Sequence, residues 1–561
     1  MAFVAGAAAA GLLVWEIGWP MSRSARDAAL VASVVLAIGV VLLEGFRIIA
    51  IREERKHWKR GLALIGIPLL ALGQIALAEW FRNRGDTELA LRGGGLLLLA
   101  LSQVTLVMAA IVRLVRLSAK EWFKRLPPGL LVVGSFVVVI VAGMLLLKTP
   151  RATTSGISWM DSLFTSTSAV CVTGLAVRDT AADFTFSGQL IILGLIQIGG
   201  LGVMTLAYFI ALITGQGISL RDRVFLNDML SQTNVHMVGR FIRRIVLITL
   251  LAEGLGAFLL HLSWAGNHDA VWNSVFHSIS AFCNAGFSTF SNGLMDDSAR
   301  EARGVQMVIM ALIIFGGLGF VVAGQAPGLV YAPLRRTVRR WLGKRGPAVR
   351  IPVHVRLVLA TTGLLLAGGA AGFLMFGDGF WEAVFNSVSA RTAGFNISNM
   401  ADLSAPAVIL MCFLMVIGGS PGGTAGGIKT TTFALGVLEL RRILLGRENV
   451  NLAGRRISRD VIDRCHVTLV LSLLWILVST AAVSAAEPSM SLDDVLFECV
   501  SAFATVGLSR GITADLGAFS KVVIVLTMLI GRIGILTFAL SLVGKPKPRH
   551  FKYPEARLPL N

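Results

Sequence analysis

Charge is scarce in this chain. Only 15% of its 561 residues are Asp, Glu, Lys or Arg, against roughly 25% in soluble domains. With 55% hydrophobic residues and a mean hydropathy of +0.75, there is too little polar side chain to cover soluble cores. An ordinary soluble globule is thereby excluded. Metal and disulfide chemistry are thinly provided too. The five cysteines, Cys171, Cys283, Cys412, Cys465 and Cys499, form no CxxC pair and no His-Cys cluster. They support neither a disulfide framework nor a zinc site and read as small apolar packing residues. Eight histidines are scattered along the chain. His277, Cys283 and Asn284 look like a polar cluster, but no second histidine or carboxylate stands at ligand spacing, so no resident metal is expected. The same scarcity argues against a polytopic membrane enzyme, which needs acid, base, metal or nucleophile groups gathered near one membrane face. The N-terminus lacks the basic start and small-residue cleavage site of a secretory signal, and reads as retained.

What the chain has in plenty is long apolar stretch. A bilayer core of about 30 Å takes about 20 apolar residues per helix. Runs of that kind cover roughly 3–19, 28–50, 61–80, 91–115, 129–148, 187–214, 240–262, 305–331, 354–376, 405–440, 466–485 and 520–544. The formal charge of 51 − 32 = +19 would suggest nucleic acid in a soluble protein. Here the Lys and Arg residues cluster between the runs, at 52–60, 113–125, 221–223, 335–350, 441–464 and 545–552. By the positive-inside rule these are cytoplasmic, which puts both termini inside, implies no nucleic-acid partner, and leaves the clusters free to meet anionic membrane lipid.

Four short segments are too brief and too polar to span: SLFTSTSAVCVTGL, SVFHSISAFCNAGF, AVFNSVSARTAGF and VLFECVSAFATVGL. Each reads Phe, three residues, Ser-Ala, a few residues, then Gly and a large apolar residue. The glycines are Gly174, Gly286, Gly394 and Gly507, spaced by 112, 108 and 113. The third copy has one residue fewer between Ser389 and its glycine, which leaves its register open. Irregular backbone at membrane depth is tolerated only where it is buried in protein or lines a water-filled cavity. A fourfold array of it points to a pore, in which glycine lets the returning chain present its carbonyls to an ion. Small residues at fixed spacing also let helices pack closely, but four copies in register exceed what packing needs. Repeats build alternating-access carriers as well; half-dipping hairpins favour a filter.

Two further features stand out. The run Gly418-Gly419-Ser420-Pro421-Gly422-Gly423-Thr424-Ala425-Gly426-Gly427 interrupts an apolar span, and no continuous helix is expected across it. Arg532 is an ionisable group inside another span and is expected to face a cavity or partner, where it would repel cations. Glu498 and Arg391, charged groups within the short segments, read as structural braces.

These residues resemble the Trk/Ktr/HKT superfamily of potassium transporters, specifically the Ktr-type membrane subunit, over roughly 126–561. Supporting motifs are LIQIGGLGVMT (195–205), IGGSPGGTAGGIKTTT (417–432) and IGRIGILT (530–537). The resemblance implies an all-α polytopic membrane protein with four helix–pore-loop–helix repeats around one potassium-channel-like pore. About 3–4 extra helices over 1–118 precede pore repeats at 126–215, 236–333, 351–446 and 461–546, with a cytoplasmic tail at 547–561. It also implies potassium as the permeant ion, with sodium as the alternative, and no bound cofactor. The implied selectivity filter is Val172, Thr173 and Gly174; Asn284, Ala285 and Gly286; Thr392, Ala393 and Gly394; and Thr505, Val506 and Gly507. Members with Ser at the first filter glycine are associated with sodium transport, whereas four glycines resemble the potassium-selecting forms. The 418–427 run would be the gate loop and Arg532 a pore barrier. Location in the cell membrane, a homodimer, and a KtrA-like cytosolic nucleotide-binding regulatory subunit docking on 446–460 and the tail are implied likewise.

Overall fold

The computed structural model of the protein describes residues 128–202, 238–264, 270–325 and 352–542, together with 11, 18 and 19. The rest of the 1–118 segment and the tail at 547–561 lie outside the described residues. What is described is almost wholly helical, and it repeats. The first unit comprises α1 (Pro128–Leu147), α2 (Trp159–Cys171) and α3 (Phe186–Leu201); the second α4 (Val238–Ser263), α5 (Ala270–Cys283) and α6 (Arg303–Gly317). The third has α7 (Val353–Met375), α8 (Phe380–Ser389), α9 (Ala405–Val416) and α10 (Thr430–Leu444); the fourth α11 (Arg459–Ala486), α12 (Leu492–Ala504), α13 (Ala518–Ile533) and α14 (Ile535–Leu542).

The first helix of every unit, α1, α4, α7 and α11, is long and apolar enough to cross a membrane. Each carries large apolar side chains on its outer face, among them Val138, Leu251, Leu364 and Leu477, all more than 60% exposed. A surface so apolar is ruinous in water and suits hydrocarbon. The middle helix of each unit, 10 to 14 residues long, is half a span. In units one, three and four it starts on an extended residue, Ser158, Gly379 and Ser491, and the two serines cap it with their side chains.

In the first three units, docking of the middle helix on the first follows one plan. Ser166 donates to the Ile140 carbonyl, Ser278 to that of Glu253 and Ser387 to that of Leu366, at 2.7–2.8 Å. At the same crossing Gly143, Gly256 and Gly369 have no room for a Cβ, which would overlap those serine hydroxyls. The signature phenylalanines Phe164, Phe276, Phe385 and Phe497 are wholly buried, each worth roughly 1.5–3 kcal/mol of transfer free energy.

The closing helix of each unit breaks at a common point. Gly202, Gly319 and Gly534 have φ of 80°, 83° and 93°, left-handed values open chiefly to glycine. Each closes a G-x-x-G begun at Gly199, Gly316 or Gly531. Beyond the break α14 turns 100° from α13. In the third unit the break lengthens into the 418–427 loop. Below it, α10 leads to a two-strand hairpin, β1 (Asn451–Leu452) against β2 (Arg455–Arg456), within the basic segment 446–460.

Three of the four joints between neighbouring units share one contact, from the closing helix of one to the middle helix of the next; at the joint of units three and four, α9 packs on α12. Trp272 donates to Gln189 at 2.8 Å, Trp381 donates to Gln306, and Lys521 pairs with Asp161 at 2.9 Å. Gln189, Gln306 and Lys521 each stand ten residues before the G-x-x-G glycine. The last contact closes unit four onto unit one, so the four units form a ring in chain order.

Candidate ion pathway

The four glycine segments meet at the centre of that ring. Each leaves its middle helix through a residue in the left-handed region: Val172, Asn284, Thr392 and Thr505, with φ of 57°, 61°, 69° and 52°. Such a conformation costs a non-glycine residue about 1–2 kcal/mol, more for the β-branched Val and Thr. Two residues later the glycines Gly174, Gly286, Gly394 and Gly507 are left-handed again, with φ of 94°, 69°, 76° and 94°. Strain repeated at one position four times marks a backbone held for a purpose.

The turn before the glycine is fixed by backbone bonds. Thr173, Ala285 and Val506 donate to the carbonyls of Ser168, Ser280 and Ser501, five residues back, at 2.7–2.8 Å. In the third copy Ala393 donates to Ser389, only four residues back, at 3.0 Å. The missing residue is therefore absorbed in the helix-ending turn, and Thr392-Ala393-Gly394 sits in the same register as its counterparts. The signature serines complete the cradle in two ways. Ser168 and Ser501 accept from the amides of Gly174 and Gly507 at 3.1 Å, whereas Ser280 and Ser389 donate to the carbonyls of Phe287 and Phe395.

Each glycine faces the next unit without space for a side chain. A Cβ on Gly174 would overlap the Ala285 carbonyl oxygen, one on Gly286 would lie 2.9 Å from that of Ala393, and Cβ atoms on Gly394 and Gly507 would overlap those of Val506 and Thr173. The ring of carbonyls belongs to Thr173, Ala285, Ala393 and Val506, one per unit, in chain order. Rings of backbone carbonyl oxygens are what replaces water around a bare cation, and here each of the four abuts a glycine of the neighbouring unit. Outside them lies a cavity of about 470 Å³ that includes the four glycines, Arg178, Asp179, Asp183, Asn396 and Ser509 in its lining.

Contacts between the segments leaving the glycines and the starts of the middle helices stiffen the rim of this cavity. Arg178 pairs with Asp161 at 3.2 Å, Thr289 donates to Asn273 at 2.8 Å, and Arg510 pairs with Asp493 at 2.7 Å and Asp494 at 3.0 Å. Hydrogen bonds from Ser491 and Arg510 hold the exposed Asp493 carboxyl down at about 2. Burial pushes the Asp161 carboxyl up, but hydrogen bonds from Lys521, Ser158 and Arg178 outweigh it and leave it below the usual range.

On the other side of the ring the 418–427 loop is stitched to the second and fourth units. Its ends pair across a parallel bridge, Ile417 with Ile428. Ser420 and Thr424 donate their amides to Gly317 and Gly316, the amide of Phe320 donates to Gly422, and the Thr424 hydroxyl reaches the Phe282 carbonyl at 3.2 Å. Gly426 touches Thr505 so closely that a Cβ there would overlap its hydroxyl. Arg532 spans from α13 to the carbonyls of Thr424 in the loop and Gly199 on α3. It occupies the second position of its G-x-x-G, where units one and two have Gly200 and Gly317. Lys429 donates to Ala425 at 2.7 Å. Arg391, 7% exposed, donates to the Gly418 carbonyl at 3.0 Å, while its Nε and Nη1 find no partner among the described residues. Glu498 meets Thr513 instead of a cation.

The TrkH family model, described as a cation transport protein, matches residues 106–326 and 370–553. The chain belongs to this cation transport family. It is a multi-pass membrane transporter, and not an enzyme. Ktr system potassium uptake protein B from Vibrio alginolyticus is 36% identical over 437 residues, 75% of this chain and 92% of that protein. The potassium/sodium uptake protein NtpJ from Enterococcus hirae is 34% identical over 462 residues, 78% of this chain and 98% of that one. The crystal structure of the potassium transporter TrkH from Vibrio parahaemolyticus has a TM-score of 0.60 at 19% identity, covering 86% of this chain and 98% of that one, a likeness of fold.

Sequence reasoning missed the G-x-x-G breaks as a repeat, the Gln/Lys contacts that close the ring, and the hold of Arg532 on the loop. The first had a signal, since GGLG, GGLG and GRIG stand at 199, 316 and 531. The other two join residues that no spacing rule connects.

Proposed function

We propose that this transporter carries potassium into the cell across the cell membrane, through a selectivity filter formed by residues 172–174, 284–286, 392–394 and 505–507. The observation that carries the reading is the closed ring of four glycines, each packed on the next unit's carbonyl so that no side chain fits. Carbonyls held in that way meet a cation of one size at low cost in reorganisation. The 418–427 loop is the gate, held below the filter by Arg532, whose fixed charge also opposes cation passage. Both termini face the cytoplasm. Several relatives are named as belonging to a Ktr system. In keeping with that wording, this chain works as a homodimer with a cytosolic nucleotide-binding regulatory subunit on the basic hairpin at 446–460.

The test is potassium and sodium uptake by liposomes containing the purified protein, wild type beside Gly286→Ser. Position 286 is the roomiest of the four, so the serine perturbs the filter with the least risk to folding. Potassium-selective flux that loses selectivity in the variant supports the assignment. Unchanged selectivity sinks it, and wild-type flux carried equally by sodium replaces it with the sodium-permeable reading that the name of NtpJ brings.

A further inference from the structure

The residue immediately after each signature phenylalanine differs in every unit: Thr165, His277, Asn386 and Glu498. All four side chains are buried, His277 and Glu498 completely. The residue two places beyond each filter glycine is serine in units two and four, Ser288 and Ser509, and Ala176 and Asn396 in units one and three. The two positions are matched. In unit two, His277 Nε2 lies 2.9 Å from Ser288 Oγ. Its Nδ1 lies 2.8 Å from the Asn273 carbonyl, which only accepts, so Nδ1 carries the proton and the serine hydroxyl donates to Nε2. Ser288 Oγ in turn accepts from the Phe290 amide at 3.0 Å. In unit four, Glu498 meets Thr513 Oγ1, which lies 2.9 Å from Ser509 Oγ, and Ser509 accepts from the Gly511 amide at 3.0 Å.

Units one and three lack this link. The Thr165 hydroxyl finds no partner among the described residues, and alanine stands at 176. Asn386 turns to Asp378 at 2.8 Å. Units two and four sit opposite each other in the ring, so this link ties the residue two places past the glycine back to its helix on two facing sides and is missing on the other two, unit one having only the Arg178–Asp161 pair farther out.

We propose that His277 and Glu498 are positioning residues for ion selection, each holding the outer end of one filter strand through the serine two residues past the glycine. The proposal rests on the filter reading above. An ion-sized ring is useful only if its carbonyls stay put when a smaller ion invites collapse, and a buried hydrogen bond to the strand's exit resists that collapse. Trp264 and Phe290 confine the His277 ring, with centroids 5.2 and 5.0 Å away, so the imidazole cannot follow a moving strand.

The experiment is the potassium-to-sodium flux ratio in liposomes containing the full-length protein. The ratio is independent of how much protein reconstitutes, so a folding loss alone does not move it. His277→Ala and Ser288→Ala should each lower potassium preference about threefold to tenfold, the span one hydrogen bond is worth. The double variant should fall no further than either single one, because both remove the same bond. Ser509→Ala should lower it as well, and Thr165→Val, at the equivalent untied position, should leave it unchanged. If His277→Ala fails to reconstitute, Ser288→Ala and Ser509→Ala decide alone. Unchanged ratios in both serine variants, with Gly286→Ser still losing preference, overturn the brace and leave the filter standing. An unchanged ratio in Gly286→Ser overturns the filter and the brace with it.

Discussion

Arg532 can oppose conduction as a charge or as a latch, and two substitutions separate the roles. Its guanidinium donates to two carbonyls on different elements, Thr424 in the loop and Gly199 on α3. Hydrogen bonds from a charged donor are worth about 1.5–3 kcal/mol each, so the pair holds the loop by about 3–6 kcal/mol before the freed carbonyls find water. The Coulomb effect is of similar size: a unit charge about 8 Å from a cation costs it about 2 kcal/mol at an effective dielectric of 20. Arg532→Lys keeps the charge but not the fork, and its single ammonium cannot reach both carbonyls in fixed geometry. Arg532→Met removes charge and fork together. If the latch matters, Arg532→Lys alone raises the fraction of open loops by about tenfold to a hundredfold, since each 1.4 kcal/mol is a factor of ten. Arg532→Met then raises it further, until the filter limits flux. Stopped-flow ion flux in liposomes, normalised to reconstituted protein, reads the difference. Wild-type flux in Arg532→Lys with raised flux in Arg532→Met would refute the latch and leave a pure charge barrier. Wild-type flux in both would refute the placing of Arg532 in the pathway at all.

How far the sequence reached depends on what each feature is made of. The four first helices were legible because bilayer thickness fixes their length and apolarity, and the four glycine segments because a phenylalanine, a serine and a glycine must recur wherever the same turn recurs. Register in the third copy was not legible. Whether a deleted residue shortens the helix end or shifts the filter is decided by which carbonyl Ala393 finds, and Ser389 four residues back serves as well as a residue five back would. Arg391 shows the opposite limit. Its place within a middle-helix segment was readable, but its reach to Gly418 depends on how the third unit folds back on itself. Glu498 and His277 carried no common motif, because the brace they form tolerates a carboxylate in one unit and an imidazole in another. Pairwise chemistry of that kind leaves no fixed residue type to search for, and only the three-dimensional alignment of the units exposes it.

Three further outcomes follow from the contacts around the ring. Gly426→Ala puts a methyl group into the Thr505 hydroxyl; the loop is expected to lose its seat and ion flux to rise, and flux equal to wild type would count against the loop as an obstruction. Phe497→Ala empties a fully buried site in the fourth unit and should cost about 3–5 kcal/mol, read as a drop in the midpoint of thermal unfolding in detergent. Asp161→Asn removes the carboxylate that joins Lys521 of the fourth unit and Arg178 beside the cavity to the first; solvent screens the 41% exposed Arg178, whereas Lys521 is 13% exposed, so the loss is about 1–3 kcal/mol and falls mainly on the Lys521 pair. The sign of its pH dependence follows from the lowered folded pKa. In the unfolded chain the carboxyl titrates near about 3.9, and in the folded ring it holds its charge to lower pH. The contribution is therefore complete above the unfolded value and fades as pH falls through the folded one. Unfolding midpoints of wild type and Asp161→Asn should accordingly differ at neutral pH and converge on acidification. A gap that stays constant into acid would mean that Asp161 acts by packing, and that the ring is closed at this joint by something other than its charge.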